Sequence, residues 1–197
     1  HVSFIARVGS DPWGDSAIAG LLEDDIDVTH VTRDSRAASG AALIFVARNG
    51  ENCIAVAGGA NGRLRPVDVR KAKSVIARAK AVVMQLETPI KTLIAAARLA
   101  ASHGALVILN PAPAQPLPDE LLRHVAILTP NETEAEMLTG IKLKSLAAAE
   151  KAAAKLRRRG VQTIVLTLGA RGALIANEQG TQLVPGFKVN ALDTTAA

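Results

Sequence analysis

The stretch AVVMQLETPIKTLIAAARLAASHGALVIL, residues 81–109, decides the fold. It opens with an apolar run rich in valine and reaches Glu87-Thr88-Pro89. It then carries apolar residues at helical spacing as far as His103 and stops at Gly104. A second apolar run follows at residues 105–109. Strand, helix and strand in that order make a crossover unit, because two parallel strands need a connection long enough to return the chain to its starting edge. Both strands are continuous apolar runs rather than alternating ones, the mark of a parallel sheet covered on both faces.

The same rhythm extends in both directions. Upstream, a helix is expected over residues 67–80, behind Pro66. Downstream, the Pro-rich turn NPAPAQPLPDE leads to a short helix and a strand at 125–128. Helices follow Pro130 and Ser145, then a strand at 163–168, a glycine turn, and two shorter strands. The chain begins with a strand over residues 2–8, a short helix over 14–22 and a strand at 27–31. One segment departs from the pattern. Residues 41–47 and 53–57 are apolar runs joined across Asn49-Gly50, the dipeptide that best signals a tight hairpin. The expectation is therefore an α/β protein with three α/β/α layers and a mostly parallel sheet. It would form one domain over residues 1–197, with a lid hairpin inserted at about 39–60.

Composition narrows the classes. Apolar residues make up 49% of the chain and aromatics only 2%, so the core must be built from Ala, Val, Leu and Ile. No run approaches the roughly 20 apolar residues of a membrane span, and no leader-like segment opens the chain, so a soluble, cytoplasmic protein is expected. The single cysteine, Cys53, rules out an internal disulfide and reads as a small buried hydrophobe. The net charge of +5 raises a nucleic-acid reading, supported by Arg157-Arg158-Arg159. That run sits at the end of an Ala-rich helical stretch before Gly160, where cations complement the helix dipole and Gly caps it. With almost no aromatics to stack on bases, no nucleic-acid partner is expected.

In open parallel sheets ligands bind beyond the carboxyl ends of the strands, so the residues that leave each strand are the candidates. Glu87 could accept hydrogen bonds from ligand hydroxyls, or could simply favour the start of the next helix. Asn110 leads a loop stiffened by Pro111 and Pro113. Asn131 and Glu134 stand in capping-box register, and TPNETEAE also stacks oxygen donors at a helix N-terminus, a natural place for phosphate and Mg²⁺-bound water. In TLGARG, Gly169 and Gly172 permit close backbone approach and Thr167 adds a hydroxyl. There is no Walker A pattern, no histidine set with metal-ligand spacing and no argument for a Ser-His-Asp set.

Taken in order, VGSDPWGD (8–15), GAALIFV (40–46) with GEN (50–52), GGAN (58–61), MQLETP (84–89), LNPAPA (109–114), TPNETEAEMLTG (129–140), TLGARGAL (167–174) and VPGFKVNALDTTAA (184–197) resemble the ribokinase-like sugar kinase family. The resemblance runs the whole length, and NPAPA with TPNETEAE favours the ribose-phosphorylating members over the nucleoside and fructose ones. It implies transfer of a phosphoryl group from ATP to the 5-hydroxyl of D-ribose, with Mg²⁺ and a monovalent cation such as K⁺. It implies that Glu87 binds the sugar. Asn131 and the turn Thr167, Leu168, Gly169, Ala170, Arg171 and Gly172 would bind nucleotide, and Glu134 would organise the Mg²⁺ region. Asp193 and the backbone of Thr195 would hold the monovalent cation. The hairpin would close over the sugar and make a homodimer contact. The family's Gly-Asp, with the anion hole and the general base, would fall just past Ala197, and its first strand with a sugar-binding Asp would precede His1, so no catalytic base is expected within the chain. The alternatives are a truncated, non-catalytic nucleotide-binding module and a related sugar or nucleoside kinase.

Overall fold

The computed structural model describes residues 1–46 and 52–187. They form two compact units, divided between Leu64 and Arg65.

The first unit lies within His1–Leu64. Strands β1 (Val2–Gly9) and β2 (Ile26–Asp34) pair in parallel through helix α1 (Pro12–Glu23), a compact crossover unit. The helix starts where the sequence supplies both a side-chain cap and a preset φ. Asp11 accepts from the Gly14 amide at 2.8 Å, and Pro12 occupies the first helical position. Asp11 also accepts from the backbone N–H of Ser39 at 2.7 Å and from its hydroxyl at 2.7 Å, which ties the helix start to the segment entering the hairpin. The hairpin consists of β3 (Ala41–Val46) and β4 (Asn52–Ala57), antiparallel, with Phe45 opposite Cys53. The Asn49-Gly50 turn lies outside the described residues. Strand β2 runs three residues past the expected end, because Thr32, Arg33 and Asp34 continue the ladder opposite Arg7, Val8 and Gly9. Cys53 is exposed, not buried as its composition class suggests.

The second unit, Arg65–Phe187, holds the crossover pattern. Its six-stranded sheet has the order β10-β9-β8-β7-β6-β5. Strands β5 (Ala81–Met84), β6 (Leu106–Leu109), β7 (Ile127–Leu128) and β8 (Thr163–Thr167) are mutually parallel. Strands β9 (Ala173–Asn177) and β10 (Gly180–Val184) extend the sheet antiparallel. The connections carry α4 (Ile90–Ser102), α5 (Asp119–Leu122), α6 (Glu132–Thr139) and α7 (Leu146–Arg158). The helix expected over 67–80 is instead α2 (Pro66–Lys71) and α3 (Lys73–Ile76). Between them Ala72, fully buried, takes a φ of −88° and ψ of 11°, outside helical values, and its N–H turns back to Val69 at 3.0 Å.

Successive strands step one way across the sheet, so right-handed crossovers put α4 to α7 on one face. Burial alternates accordingly. Val107, Leu109, Leu128, Ile164, Leu166, Leu174 and Ala176 are buried beneath the helices. They pack against Leu93, Ala97 and Ala100 of α4 and against Ala149, Ala152, Ala153 and Leu156 of α7, whose small alanines let helix and sheet approach closely. The opposite face carries Val83, Leu106, Ile108, Ile127, Val165 and Ile175, none of them buried among the described residues.

Two of the three arginines at the end of α7 are engaged within the fold. Arg159 donates to the Asp119 carboxylate at 2.7 Å and to the Leu117 carbonyl at 2.6 Å, and Arg157 donates to the Gln162 carbonyl at 3.1 Å. No described helix is long and apolar enough to cross a membrane.

Candidate active site

The carboxyl ends of the parallel strands form one stitched edge. Beyond the strand ladders, the Asn110 amide bonds the Met84 carbonyl at 2.9 Å, Thr129 bonds Leu109 at 3.0 Å, and Thr167 bonds Pro130 at 2.9 Å. The loop after β5 is fixed by two further contacts. The Leu86 amide donates to the Ala112 carbonyl at 2.7 Å, and the Gln115 side-chain amide donates to the Leu86 carbonyl at 3.2 Å. Gln85 closes the same loop by accepting from the Glu87 amide at 2.7 Å. These turns leave the Glu87 side chain exposed and without a hydrogen bond or ion pair among the described residues. A carboxylate held on a braced loop with open acceptor sites suits ligand hydroxyls. Sequence reasoning missed Gln85 and Gln115: Gln85 gives the local signal of an amide two residues before a candidate, and Gln115, inside the Pro-rich turn, gives none.

The next loop builds the helix start of α6. Asn131 accepts from the Glu134 amide at 2.8 Å, while the Asn131 backbone N–H donates to Glu134 Oε2 at 2.8 Å. The capping reading of this pair is therefore realised. It goes further than a cap, because the Asn131 side-chain amide also donates to Glu134 Oε1 at 3.0 Å. Glu134 is only 6% exposed, so its carboxylate is locked in one orientation at the positive end of the helix. The neighbouring acids have other work. Glu136 accepts from Lys142 at 2.6 Å and from the Leu143 amide at 2.8 Å. The Lys142 hydrogen bond, then the Leu143 amide, lowers its pKa below the ordinary glutamate range. Glu132 pairs with Arg171 at 2.8 Å, across to the glycine turn.

That turn, residues 167–172, follows β8. The Leu168 side chain is buried at 2% exposure, so what it offers outward is backbone. Its amide bonds the Gly172 carbonyl at 2.8 Å and the Gly172 amide bonds Gly169 at 3.0 Å, closing a tight loop. Gly169 has a φ of +56° and open space where a Cβ would stand, so its backbone can be approached closely. Gly172 is glycine for a different reason: at φ +94° an added Cβ would lie 2.0 Å from the Val184 carbonyl oxygen. Arg171 to Glu132 and Thr167 to Pro130 bring the turn and the start of α6 side by side. Asn131, Glu134, Thr167, Gly169 and Arg171 thus share one edge, with Glu87 on the same edge beyond β7 and β6. Asp193 and Thr195 lie outside the described residues.

The donor set accommodates Mg²⁺ only in one manner. No group of three or more His, Cys, Asp or Glu residues among the described residues could hold a metal ion directly. Each Glu134 oxygen still has a lone pair beyond its bond to Asn131, which fits a metal that keeps its water shell and meets one carboxylate.

An open parallel sheet with a glycine turn and a helix N-terminus at its carboxyl edge is an architecture suited to a phosphorylated ligand. The chain belongs to the pfkB family of carbohydrate kinases, whose model matches residues 1–197. It is 43% identical over 196 residues to the ribokinase of Haemophilus influenzae, covering 100% of this chain and 64% of that protein. It is 41% identical over 195 residues to the ribokinase of Staphylococcus aureus, covering 99% of this chain and again 64% of the relative. A solved structure of Arabidopsis thaliana ribokinase complexed with ribose and ATP matches with a TM-score of 0.80 at 28% identity, over 93% of this chain and 60% of that one. The α/β fold with its mostly parallel sheet is therefore the ribokinase-like one that the motifs implied. The chain spans just under two thirds of the length of these relatives.

Proposed function

We infer that the chain serves ATP-dependent phosphorylation of D-ribose to D-ribose 5-phosphate. The observation that carries this reading is the stitched edge itself. It joins Asn131, the locked Glu134 and the Gly169-to-Gly172 turn through the Arg171–Glu132 pair, in a chain 43% identical to a ribokinase. Thr167, Leu168, Gly169, Ala170, Arg171 and Gly172 would take the nucleotide through exposed backbone and the Thr167 hydroxyl. Asn131 would position its phosphates at the dipole of α6. Glu87 would accept a sugar hydroxyl. Glu134 would hold a water of Mg²⁺, which when bound neutralises charge on the transferring phosphate. Asp193 and the Thr195 backbone are assigned to a K⁺-type ion, on the strength of the resemblance, and the protein is placed in the cytoplasm. Phosphoryl transfer depends on positioning and charge stabilisation rather than covalent chemistry, and a braced, pre-oriented edge supplies the first of these.

The hairpin supports a homodimer. Leu43, Ile44, Phe45, Val46, Ile54 and Val56 are between 49% and 65% exposed, so both of its faces are apolar and open. A two-stranded hairpin is marginal alone and gains from an apolar partner such as a second copy of itself.

The test is ADP release by the full-length protein with ATP and Mg²⁺ against D-ribose, 2-deoxyribose, fructose and adenosine. Ribose should support the fastest release, and a nucleoside outpacing it would overturn the sugar assignment. Nucleotide titration of N131A should show weakened ATP binding, and unchanged affinity would remove Asn131 from the site.

A further inference from the structure

The first unit contains a cleft of about 190 Å³ lined by Arg7, Arg33, Asp34, Ser35, Arg36 and Arg63. All belong to β1, β2, the turn after β2, and the 3₁₀ turn Gly59–Arg63. It is below the roughly 300–1,000 Å³ of pockets that hold drug-sized ligands, so it suits a small ion or one ionic group.

Arg7 is the residue that needs explaining. Its side chain is 10% exposed, yet only one side of its guanidinium is satisfied. Nε donates to the Arg63 carbonyl at 3.2 Å and lies 3.5 Å from the Asp34 carboxylate. Nη1 is buried and has no hydrogen-bond partner among the described residues. A buried charged donor left unpaired is costly, and native structures almost always supply an acceptor.

The surrounding charge says what kind of acceptor. Asp34 is shared by Arg7 and by Arg63, whose Nε lies 2.8 Å away, and it also accepts from the Arg36 amide at 2.8 Å. Arg33 pairs with Asp15. The Arg36 side chain makes no hydrogen bond or ion pair among the described residues. Four guanidinium groups against the two carboxylates of Asp34 and Asp15 leave a formal charge of +2 around the cleft. A phosphate group carries about −1.5 to −2 at neutral pH, with several acceptor oxygens, and matches that charge where a single carboxylate would not.

We propose that the cleft between Arg7, Arg36 and Arg63 is an anion site for a phosphate group, with the buried Arg7 Nη1 as its innermost donor. The group comes either from inorganic phosphate or from a small phosphomonoester; both present the same oxygens to the same fork of donors. The site lies wholly within the first unit and does not depend on the assignment of the strand edge in the second.

The experiment follows the arginine Nε–Hε NMR signals of the chain while inorganic phosphate replaces sodium chloride at constant ionic strength. The Arg7, Arg36 and Arg63 signals should move together along one saturating curve. R36Q is the first variant, because it removes a donor that braces nothing in the fold. R63Q is the second. Each should weaken phosphate binding roughly tenfold, in line with loss of one hydrogen bond to a charged group. A parallel titration with glycerol phosphate separates the sources. Tighter binding than phosphate assigns a phosphomonoester, and equal or weaker binding assigns the free ion. Absence of a saturating shift at Arg7 with either probe, or unchanged affinity in both variants, overturns the proposal.

Discussion

Asn131 shows how one side chain can serve both the fold and the site. It caps α6 through its carbonyl oxygen and orients Glu134 through its amide. N131A should lower stability by about 1 kcal/mol for the cap, with a further ~1–3 kcal/mol for the donor taken from a buried carboxylate. N131D separates the two. Aspartate caps as well as asparagine but cannot donate, and it sets a second carboxylate against Glu134. The denaturant midpoint of N131D should therefore still fall, with unchanged slope; a midpoint equal to that of the parent would show that the amide bond to Glu134 contributes nothing. Asp34 makes a second prediction at this scale. The Arg36 amide, then Arg63 and Arg7, lower its pKa below the usual aspartate range, against the opposing effect of its own burial. A carboxylate depressed in the folded state contributes stability that is complete above its unfolded value of about 3.9 and is lost as pH falls through the folded value. The unfolding midpoint should thus drop below about pH 4, and D34N should be less stable at neutral pH yet flatter across the acid range. A D34N profile parallel to the parent would assign the acid sensitivity elsewhere.

At the scale of elements, the sequence made the strand–helix alternation plain because β5 and β6 are uninterrupted apolar runs separated by a stretch with helical spacing. Residues 105–109 and 163–168 became β6 and β8 nearly as read. Strand β7 shrank to Ile127–Leu128, since the Val125 amide turns back to Leu122 at 3.0 Å, while Ala126 still bonds across to Val107 and Thr163 at 2.9 and 2.8 Å. The break at Ala72 gave no signal, for alanine is the best of helix formers and only tertiary packing overrides it. The candidate loops were legible one by one, because each follows a strand end. What joins them was not: Arg171 to Glu132 spans 39 residues and Gln115 to Leu86 spans 29, and pairings of that range leave no local pattern. The hairpin carries the prediction at this scale. Its apolar residues, Phe45 at 64% exposure among them, have no covering element among the described residues of the unit. F45E should convert a dimer to a monomer in sedimentation without unfolding α1, β1 or β2. A parent chain that sediments as a monomer at all concentrations would refute the hairpin contact.

For the whole molecule, the sheet of the second unit is the feature with consequences. Its helix-covered face is closed, with Leu109, Leu128, Ile164 and Leu166 at 0% exposure. Its other face is open at one end, with Val83 72% and Leu106 41% exposed. Apolar runs read as strands covered on both sides, and the side-chain pattern fits that reading; the described residues supply helices to one side. An apolar patch of this kind binds hydrophobic dyes and favours association. The asymmetry predicts unequal responses to two substitutions in neighbouring strands. L109A should cost about 2–5 kcal/mol, as deletions in a packed core do. V83T keeps a β-branched side chain and removes exposed apolar surface, so it should change stability by no more than about 0.5 kcal/mol while lowering dye binding and light scattering. Equal destabilisation by the two variants would mean that Val83 is covered in solution, and that the chain closes this face by associating through it.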